Sequence, residues 1–218
     1  MIAYNHPQGS PEWLQSRCGV ITASMFKVAR ERLKSGPNKG DFTEAAKDYA
    51  FRLAFERISG TLMDEGFTTW QMERGHELEP QARAAHEIET GCVVEQVGFV
   101  TDDDGVFGAS ADGFIGTDSG LEIKCLVSAK GIRKLWFADD MSDFMDQVQG
   151  GMWITGRSDW HFAMYCPALA GIEKHLFLRV VQRDDAFIEK MASDLADFAA
   201  LVDEYQERLR NDHQQVAA

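Results

Sequence analysis

GASADGFIGTDSGLEIKCLV, residues 108–127, is the stretch that predicts the centre of the fold. Side chains alternate between the two faces of a strand, so Glu122 and Lys124 point to one side, while Ile123 points into the protein and leaves its carbonyl beside them. Turn-forming residues precede the charged pair: Gly113, Gly116, Asp118, Ser119 and Gly120. They predict a hairpin that returns Asp112 to a position across from Glu122.

The predicted hairpin collects two carboxylates, a carbonyl oxygen and one ammonium group in a small volume. Such oxygen ligands suit a hard divalent cation such as Mg2+, and a neighbouring lysine can orient or deprotonate a water, as in phosphodiester hydrolysis. The alternative is a polar hairpin with a surface ion pair, since short acidic motifs arise by chance among 35 acidic residues. Apolar residues alternate with the charged ones, namely Leu121, Ile123, Cys125 and Val127. This alternation favours the metal site, because carboxylates clustered beside a buried strand are costly without a cation.

The composition is that of one globular domain. The chain has 218 residues, 44% of them apolar, which is enough for a sizeable core. No run approaches the roughly 18 to 20 apolar residues needed to cross a bilayer, and the N-terminal MIAYNHPQGS lacks a signal pattern. The four cysteines have no CxxC spacing, so neither a zinc cage nor a disulfide framework is predicted. We therefore expect a soluble intracellular protein with no membrane partner.

The net charge of -13 is unevenly distributed along the chain. Residues 1–40 carry six basic and two acidic residues, whereas the rest carries 16 basic and 33 acidic residues. A basic N-terminal face could bind DNA locally, while the acidic body would discourage nonspecific coating. The alternative is an ordinary solvated helix face.

Periodicity and turn signals predict helices and strands in one mixed arrangement. Helices are predicted near 11–17, 23–32, 43–58, 69–90, 129–137, 142–155 and 184–210, and strands near 92–100, 106–109, 114–116, 121–127, 160–166 and 174–181. Pro80 is expected to interrupt the fourth helix and to force Glu79 away from helical geometry. The pattern fits a single α/β (α+β) domain over residues 1–218, with a central mixed β-sheet flanked by helices. It comprises a basic helical part (1–60), a catalytic core (61–181) and a C-terminal helix (184–210).

Several segments, in order, resemble one family. They are Arg17 followed by ITAS at 21–24, Gly75-x-x-x-Glu79, Ser110-x-Asp112-Gly113, Glu122-Ile123-Lys124, and Gln147-Val148-Gln149 followed by Met152-Trp153. Each motif alone is weak, but the ordered set is specific and spans nearly the whole chain. The chain is thus similar to the family of phage lambda exonuclease and the YqaJ-type viral recombinases.

The resemblance implies a restriction-endonuclease-like core and a nuclease activity. It implies 5'-to-3' digestion of one strand of linear double-stranded DNA carrying a 5'-phosphate, which leaves 3' overhangs for phage-type recombination. The implied cofactor is Mg2+, with two ions per site and Mn2+ as a substitute. The implied partners are two further copies of the chain in a homotrimeric ring and a single-strand annealing protein. The implied location is the cytoplasm of a bacterial host, with a phage or prophage origin.

The resemblance also assigns roles to individual residues. Asp112, Glu122 and the carbonyl of Ile123 would hold the metals, Lys124 would position the attacking water, and Glu79 would be the helix-borne acid of the site. The residues that would grip the 5'-terminal phosphate are Arg17, Ser24, Ser110 and Gln149. Ser24 would gain from its position near the start of a helix, where the dipole favours an anion. The remaining two assignments are Met72 as a wedge at the end base pair and Lys34 as a basic loop residue that tracks the DNA.

Two other functions remain open at this stage. One is a metal-dependent DNA endonuclease with the same core, because a fold alone does not decide function. The other is a non-catalytic DNA-end-binding module. The set of candidate phosphate ligands favours an exonuclease over the first, and the retained acidic residues and Lys124 favour an enzyme over the second.

Overall fold

A computed structural model describes residues 1–63, 70–126 and 128–211, apart from the side chains of Gln71 and Met72. The side chain of the predicted wedge, Met72, therefore lies outside the described part, as does Val127. The helices are α1 (Pro11–Ser16), α2 (Phe26–Ala29), α3 (Glu44–Ser59), α4 (Trp70–Thr90), α5 (Ala129–Ala138), α6 (Met145–Thr155) and α7 (Asp185–Asn211). The strands are β1 (Ile2–Tyr4), β2 (Ile21–Thr22), β3 (Phe99–Thr101), β4 (Phe107–Ala109), β5 (Gly113–Ile115), β6 (Ser119–Lys124), β7 (Asp159–Tyr165) and β8 (Leu176–Gln182).

The strands form two four-stranded mixed sheets, which confirms the predicted fold class while dividing the predicted central sheet in two. The first sheet has the order β1-β3-β4-β2, with β2 and β4 parallel. The second has the order β5-β6-β7-β8, with β6 and β7 parallel and the outer pairs antiparallel. Only residues 110–112 connect β4 of the first sheet to β5 of the second. This short connection carries two of the predicted site residues.

The second sheet is covered on both faces, which explains why a charged residue of β6 is buried. On one face, Leu121 and Ile123 pack with Ala82 of α4. On the other face, the side chains of β7 pack with α5 and α6. Glu122 alternates with its apolar neighbours and is therefore directed to the side of α6, where it is only 3% exposed.

Capping residues fix three of the helix ends. Ser10 Oγ accepts a hydrogen bond from the backbone N–H of Trp13 at 3.2 Å, and Thr43 Oγ1 accepts one from Ala46 at 3.3 Å. Gly60 ends α3 with a left-handed φ of 65°, which a residue without a side chain adopts at little cost.

The interruption expected at Pro80 is wrong, because α4 continues without a break from Trp70 to Thr90. Proline removes one backbone hydrogen bond and crowds the preceding turn, but tertiary packing can outweigh this penalty. Beyond Pro80, Ala82 and His86 are both fully buried, and His86 Nε2 lies 2.8 Å from Nδ1 of His161 on β7. Glu79 consequently keeps helical geometry.

Other boundaries also differ from the sequence expectations. The helix predicted at 23–32 is a 3-10 turn (Ala23–Met25) followed by the single turn of α2, and Thr22 makes no side-chain cap there. The strand predicted at 92–100 is shorter in the structure: β3 begins at Phe99, and Glu95 forms only an isolated bridge with Phe114. Within the described ranges, no helix is long and apolar enough to cross a membrane.

The predicted basic N-terminal face is largely neutralised by the body of the protein. Three of its six basic residues form ion pairs: Lys27 with Asp143, Arg30 with Asp146 and Asp194, and Arg32 with Asp197. These contacts join α2 to α6 and α7. These ion pairs offset part of the positive charge of the segment, and its contact with DNA stays a prediction.

Candidate active site

A cavity of about 700 Å³ lies between the N-terminal segment, α4 and the β5–β6 hairpin. Among its lining residues are Arg17, Ser24, Glu79, Ser110, Asp112, Glu122, Ile123, Lys124 and Gln147. The structure thus brings most of the predicted site residues together.

The β5–β6 hairpin places Asp112 beside Glu122, as predicted. Gly113 pairs with Leu121, and the backbone N–H of Asp112 donates to Leu121 O at 3.0 Å. The backbone N–H of Ile123 in turn donates to Asp112 Oδ2 at 2.5 Å. Both contacts fix the side chain of Asp112 over the end of β6.

The connection that precedes β5 is also held in place from the N-terminal segment. Gln8 Nε2 donates to Ala111 O at 2.7 Å and to Val97 O at 3.2 Å. Because Ala111 lies between Ser110 and Asp112, this amide keeps both side chains at the cavity.

Glu122 is held by two donors on one oxygen. Its Oε1 accepts from Gln147 Nε2 of α6 at 2.7 Å and from Lys124 Nζ at 2.6 Å. Among the described residues, Glu122 Oε2 and Asp112 Oδ1 make no hydrogen bond. Each carboxylate therefore keeps one oxygen for a ligand in the cavity.

Burial and like charge oppose ionisation of these two carboxyl groups. Burial raises the pKa of Asp112 well above its ordinary value, and the charge of Glu122 raises it further. The pKa of Glu122 is also raised, mainly by burial, against the opposing effects of Lys124 and Gln147. Glu79 adds negative charge to both. A cation in the cavity would relieve this repulsion.

Lys124 supplies part of that positive charge. Burial alone would lower its pKa, but Glu122 and Asp112 together outweigh burial and raise the pKa above the ordinary value. The side chain is therefore an ammonium group at neutral pH. It can donate hydrogen bonds to a water or a phosphate oxygen, but it cannot accept a proton.

The donor set fits a hard divalent cation. Within the described part of the chain, no group of three or more His, Cys, Asp or Glu side chains is arranged to hold a metal. Asp112 and Glu122 offer two carboxylates, and Ile123 offers a backbone carbonyl at the same end of β6. Mg2+ keeps several waters and is commonly bound through only one or two carboxylates, so this set is sufficient.

Arg17 lines the same cavity. Its Nη1 donates to Ser110 Oγ at 3.2 Å, and its guanidinium lies 4.3 Å from the ring centroid of Trp13. Burial lowers the pKa of Arg17 below the ordinary arginine value. No carboxylate among the described residues forms a salt bridge with this guanidinium, although burial of a charge normally requires a partner. An anionic ligand would complete the site.

The family assignment follows from comparison with known proteins. Residues 12–158 match the model of the YqaJ-like viral recombinase domain. The chain belongs to the YqaJ-like viral recombinase family. A comparison with curated proteins finds no match.

Solved structures agree with membership of the YqaJ-like family. The alkaline exonuclease LHK-Exo from Laribacter hongkongensis is 29% identical, with a TM-score of 0.81 over 95% of this chain and 100% of that one. LHK-Exo in complex with dAMP gives a TM-score of 0.83 at the same identity and coverage. A phage-related exonuclease from Haemophilus somnus 129PT shares the fold, with 16% identity and a TM-score of 0.65 over 89% of this chain and 96% of that one. Together these findings support a nuclease of phage-type recombination.

Two predicted residues of this YqaJ-like protein are not brought into the cavity. Gln149 is 1% exposed, and its amide donates to Gln182 O at 2.9 Å and accepts from the N–H of Asp184 at 3.0 Å. Its side chain therefore ties α6 to the end of β8, and Gln147 faces the cavity instead. Lys34 is exposed and does not line the cavity, so its predicted contact with DNA stays a prediction.

Sequence reasoning missed Gln147 and Trp13. Positions 147 and 149 are two apart, so they point to opposite sides of a helix, and only one of them can face the site. The helical phase of α6 relative to β6 decides between them. Trp13 lies four residues before Arg17, a spacing that brings two side chains together across a helical turn.

Asp112→Asn is expected to stabilise the metal-free protein. The pKa of Asp112 is raised in the folded protein, so its ionisation is less favourable there than in the unfolded chain and lowers the free energy of unfolding at a pH above the unfolded-state pKa. An amide of the same shape removes that penalty, and we expect the thermal midpoint in EDTA to rise by roughly 2 to 6 °C. The matched control is Asp118→Asn, an exposed carboxylate in the same hairpin, which should leave the midpoint nearly unchanged. A lower midpoint for Asp112→Asn would show that repulsion between the carboxylates does not limit stability.

Proposed function

We propose that the protein is a divalent-metal-dependent exodeoxyribonuclease that digests the 5'-ended strand of linear double-stranded DNA in the 5'-to-3' direction. The observation that carries the proposal is the presence, in one cavity, of the partly buried Arg17, which has no salt bridge among the described residues, and of the carboxylates Asp112 and Glu122. The first suits a terminal phosphate, and the second suits a metal-assisted hydrolytic site. The distance between the Arg17 guanidinium and the two carboxylates would set the length of the released product.

Arg17 and its neighbours would bind the 5'-terminal phosphate of the strand. A terminal phosphate monoester carries more negative charge than an internal diester, so a partly buried guanidinium would favour a strand end over an internal position. Ser110 Oγ accepts a hydrogen bond from Arg17 Nη1, and its own O–H could donate to the phosphate. The Ser24 hydroxyl lies 3.3 Å from the Thr22 hydroxyl at the cavity wall. The helix that was expected to support Ser24 is too short to contribute a substantial dipole.

Asp112, Glu122 and the carbonyl of Ile123 would hold Mg2+, with Mn2+ as a substitute and two ions as the proposed number. The metal supplies positive charge for the developing phosphorane and lowers the pKa of a bound water. Lys124 would donate a hydrogen bond to the attacking water or to a phosphate oxygen as negative charge accumulates. Gln147 would keep Glu122 oriented through its hydrogen bond to Oε1.

Hydrolysis at this position explains repeated digestion of one strand. Attack of water on phosphorus with cleavage of the P–O3' bond releases a 5'-mononucleotide. The shortened strand then begins with a new 5'-phosphate, which is again the group that Arg17 would bind. The dAMP present in the LHK-Exo complex is a mononucleotide of the class that such a reaction releases.

The proposed biological setting rests on family membership. A 5'-to-3' exonuclease leaves 3' single-stranded ends, which are the substrate of a single-strand annealing protein. We include in the proposal a homotrimeric ring, an annealing partner, and action in the cytoplasm of a bacterial host during phage or prophage recombination. An endonuclease of the same fold is the competing function, and the terminal-phosphate site argues against it.

Lys124→Ala is expected to reduce the turnover of linear duplex DNA by roughly 100- to 1000-fold, because one donor to a developing negative charge is lost. DNA affinity in Ca2+, measured by fluorescence anisotropy, should remain close to that of the wild type. The matched control is Lys134→Ala, since Lys134 is ion-paired with Asp143 outside the cavity. Near-wild-type turnover of the Lys124 variant would remove this residue from the reaction.

Arg17 should make the rate depend on the 5' group of the substrate. We expect the wild type to digest 5'-phosphorylated duplex about 10- to 100-fold faster than 5'-hydroxyl duplex, from the strength of charge-assisted hydrogen bonds. Arg17→Ala should narrow this ratio mainly by slowing the phosphorylated substrate, whereas Arg179→Ala, which removes a surface ion pair with Asp139, should not.

Labels at either strand end would report the direction of digestion, and covalently closed circular duplex should resist. Initial rates that ignore the 5' group, or efficient cutting of the closed circle, would reject the exonuclease and favour an endonuclease.

A further inference from the structure

Arg83 forms an ion pair with Glu79, the acidic residue of α4 that lines the active-site cavity among the described residues. The two residues are four apart on α4, and Arg83 Nη2 donates to Glu79 Oε1 at 2.5 Å. Both side chains are largely buried, with 13% of Arg83 and 21% of Glu79 exposed. This ion pair therefore differs from a solvated surface pair of the same spacing, which is worth little.

Gln96 holds Arg83 from the opposite side. With its amide oxygen turned toward the guanidinium, Gln96 accepts from Arg83 Nη1 at 2.8 Å and from Nη2 at 3.1 Å. The neighbouring Glu95 exchanges two backbone hydrogen bonds of 2.8 Å with Phe114 in β5. The chain Glu79–Arg83–Gln96 thus connects α4 to the hairpin that carries Asp112.

Glu79 needs such a contact because of where its carboxylate lies. It is close enough to Asp112 and Glu122 to disfavour the ionisation of both. Mutual repulsion among three carboxylates would turn the most mobile of them away from the cavity. A fixed guanidinium on the far side of Glu79 opposes that movement and leaves Oε2 without a partner among the described residues.

The contacts of Arg83 do not suggest that it serves stability alone. Its Nε is buried and has no hydrogen-bond partner in the described part of the chain. Burying an incompletely satisfied guanidinium lowers stability, so its presence needs another reason. The immediate neighbour of Glu79 is Pro80, which removes one backbone hydrogen bond from this turn of α4 and makes an additional side-chain restraint useful.

We propose that Arg83 is a positioning residue that acts through Glu79, holding this carboxylate toward Asp112 and Glu122 with support from Gln96. The proposal rests on the hydrolytic function proposed above. Arg83 does not line the cavity that Glu79 shares with Asp112 and Glu122, so in that reaction it would act through Glu79. Its effect is to keep the third carboxylate of the site in one orientation while the strand advances.

A double-mutant cycle tests this inference. Steady-state kinetics on linear duplex DNA with phosphorylated ends would give kcat and KM for the wild type, Arg83→Gln, Glu79→Gln and the double variant. We expect Arg83→Gln to lower kcat by about 10- to 100-fold with little change in KM. Since Arg83 acts through Glu79, the double variant should be no slower than Glu79→Gln alone.

Three further variants separate positioning from general destabilisation. Arg83→Lys keeps the charge but cannot contact Glu79 and Gln96 together, so its kcat should be intermediate. Gln96→Leu should cause a smaller loss that also disappears in the Glu79→Gln background, and it tests the proposal if Arg83→Gln does not fold. The control is Arg30→Gln, because Arg30 is comparably buried (16% exposed) and is paired with Asp146 and Asp194. Any fold-change in kcat that it causes should be the same in the wild-type and Glu79→Gln backgrounds.

Two results would overturn the inference while leaving the proposed function intact. The first is a kcat for Arg83→Gln equal to that of the wild type. The second is a double variant whose fold-loss in kcat equals the product of the fold-losses of Arg83→Gln and Glu79→Gln. A wild-type protein that hydrolyses no DNA in Mg2+ or Mn2+ would instead reject the proposed function and this inference together.

Discussion

The repulsion between the partly buried carboxylate of Asp112 and the buried carboxylate of Glu122 is the constraint on which the rest of the site depends. Hydrogen bonds from Ile123 N–H and Gln147 hold Asp112, just before β5, beside Glu122 of β6, and Lys124 compensates only part of their charge. Such an arrangement lowers the stability of the metal-free protein, and it creates a place where a divalent cation is strongly favoured. On this account, the protein has a lower free energy of unfolding without metal and in return a higher affinity for a divalent cation at the proposed reaction site.

The fold supports this arrangement by covering β6 on both faces. Helix α4 packs on one face and brings Glu79, while α6 lies on the other and brings Gln147. The three-residue connection between the sheets places Ser110 toward Arg17 and Asp112 toward β6. One short segment therefore links the half of the cavity proposed to bind metal to the half proposed to bind phosphate.

Strand alternation and turn composition were sufficient to predict the hairpin and the meeting of Asp112 with Glu122. The pairing depends on local spacing, and local spacing is visible in the sequence. The course of α4 was not predictable in this way, since Pro80 is tolerated only because Ala82 and His86 are buried against the second sheet. Gln147 was missed for the same reason, because the phase of α6 is set by packing between distant segments.

The part of the cavity around Arg17, proposed to bind phosphate, was predictable only in part. The family resemblance pointed to Arg17, Ser24 and Ser110, and all three line the cavity. It did not reveal that Arg17 is partly buried without a carboxylate partner among the described residues, or that Trp13 lies against it. Burial and the pairing of charges are properties of the folded state, and they supply the physical reason for an anion at this position.

The most direct test of the account is isothermal titration calorimetry of Mg2+ binding to the wild type, Asp112→Asn and Glu122→Gln at pH 8 in the absence of DNA. Our account predicts measurable binding to the wild type and a loss of at least about tenfold in affinity for each variant, because an amide keeps the shape of the ligand but removes its charge. Equal Mg2+ affinity in all three proteins would contradict it and would place the metal site elsewhere.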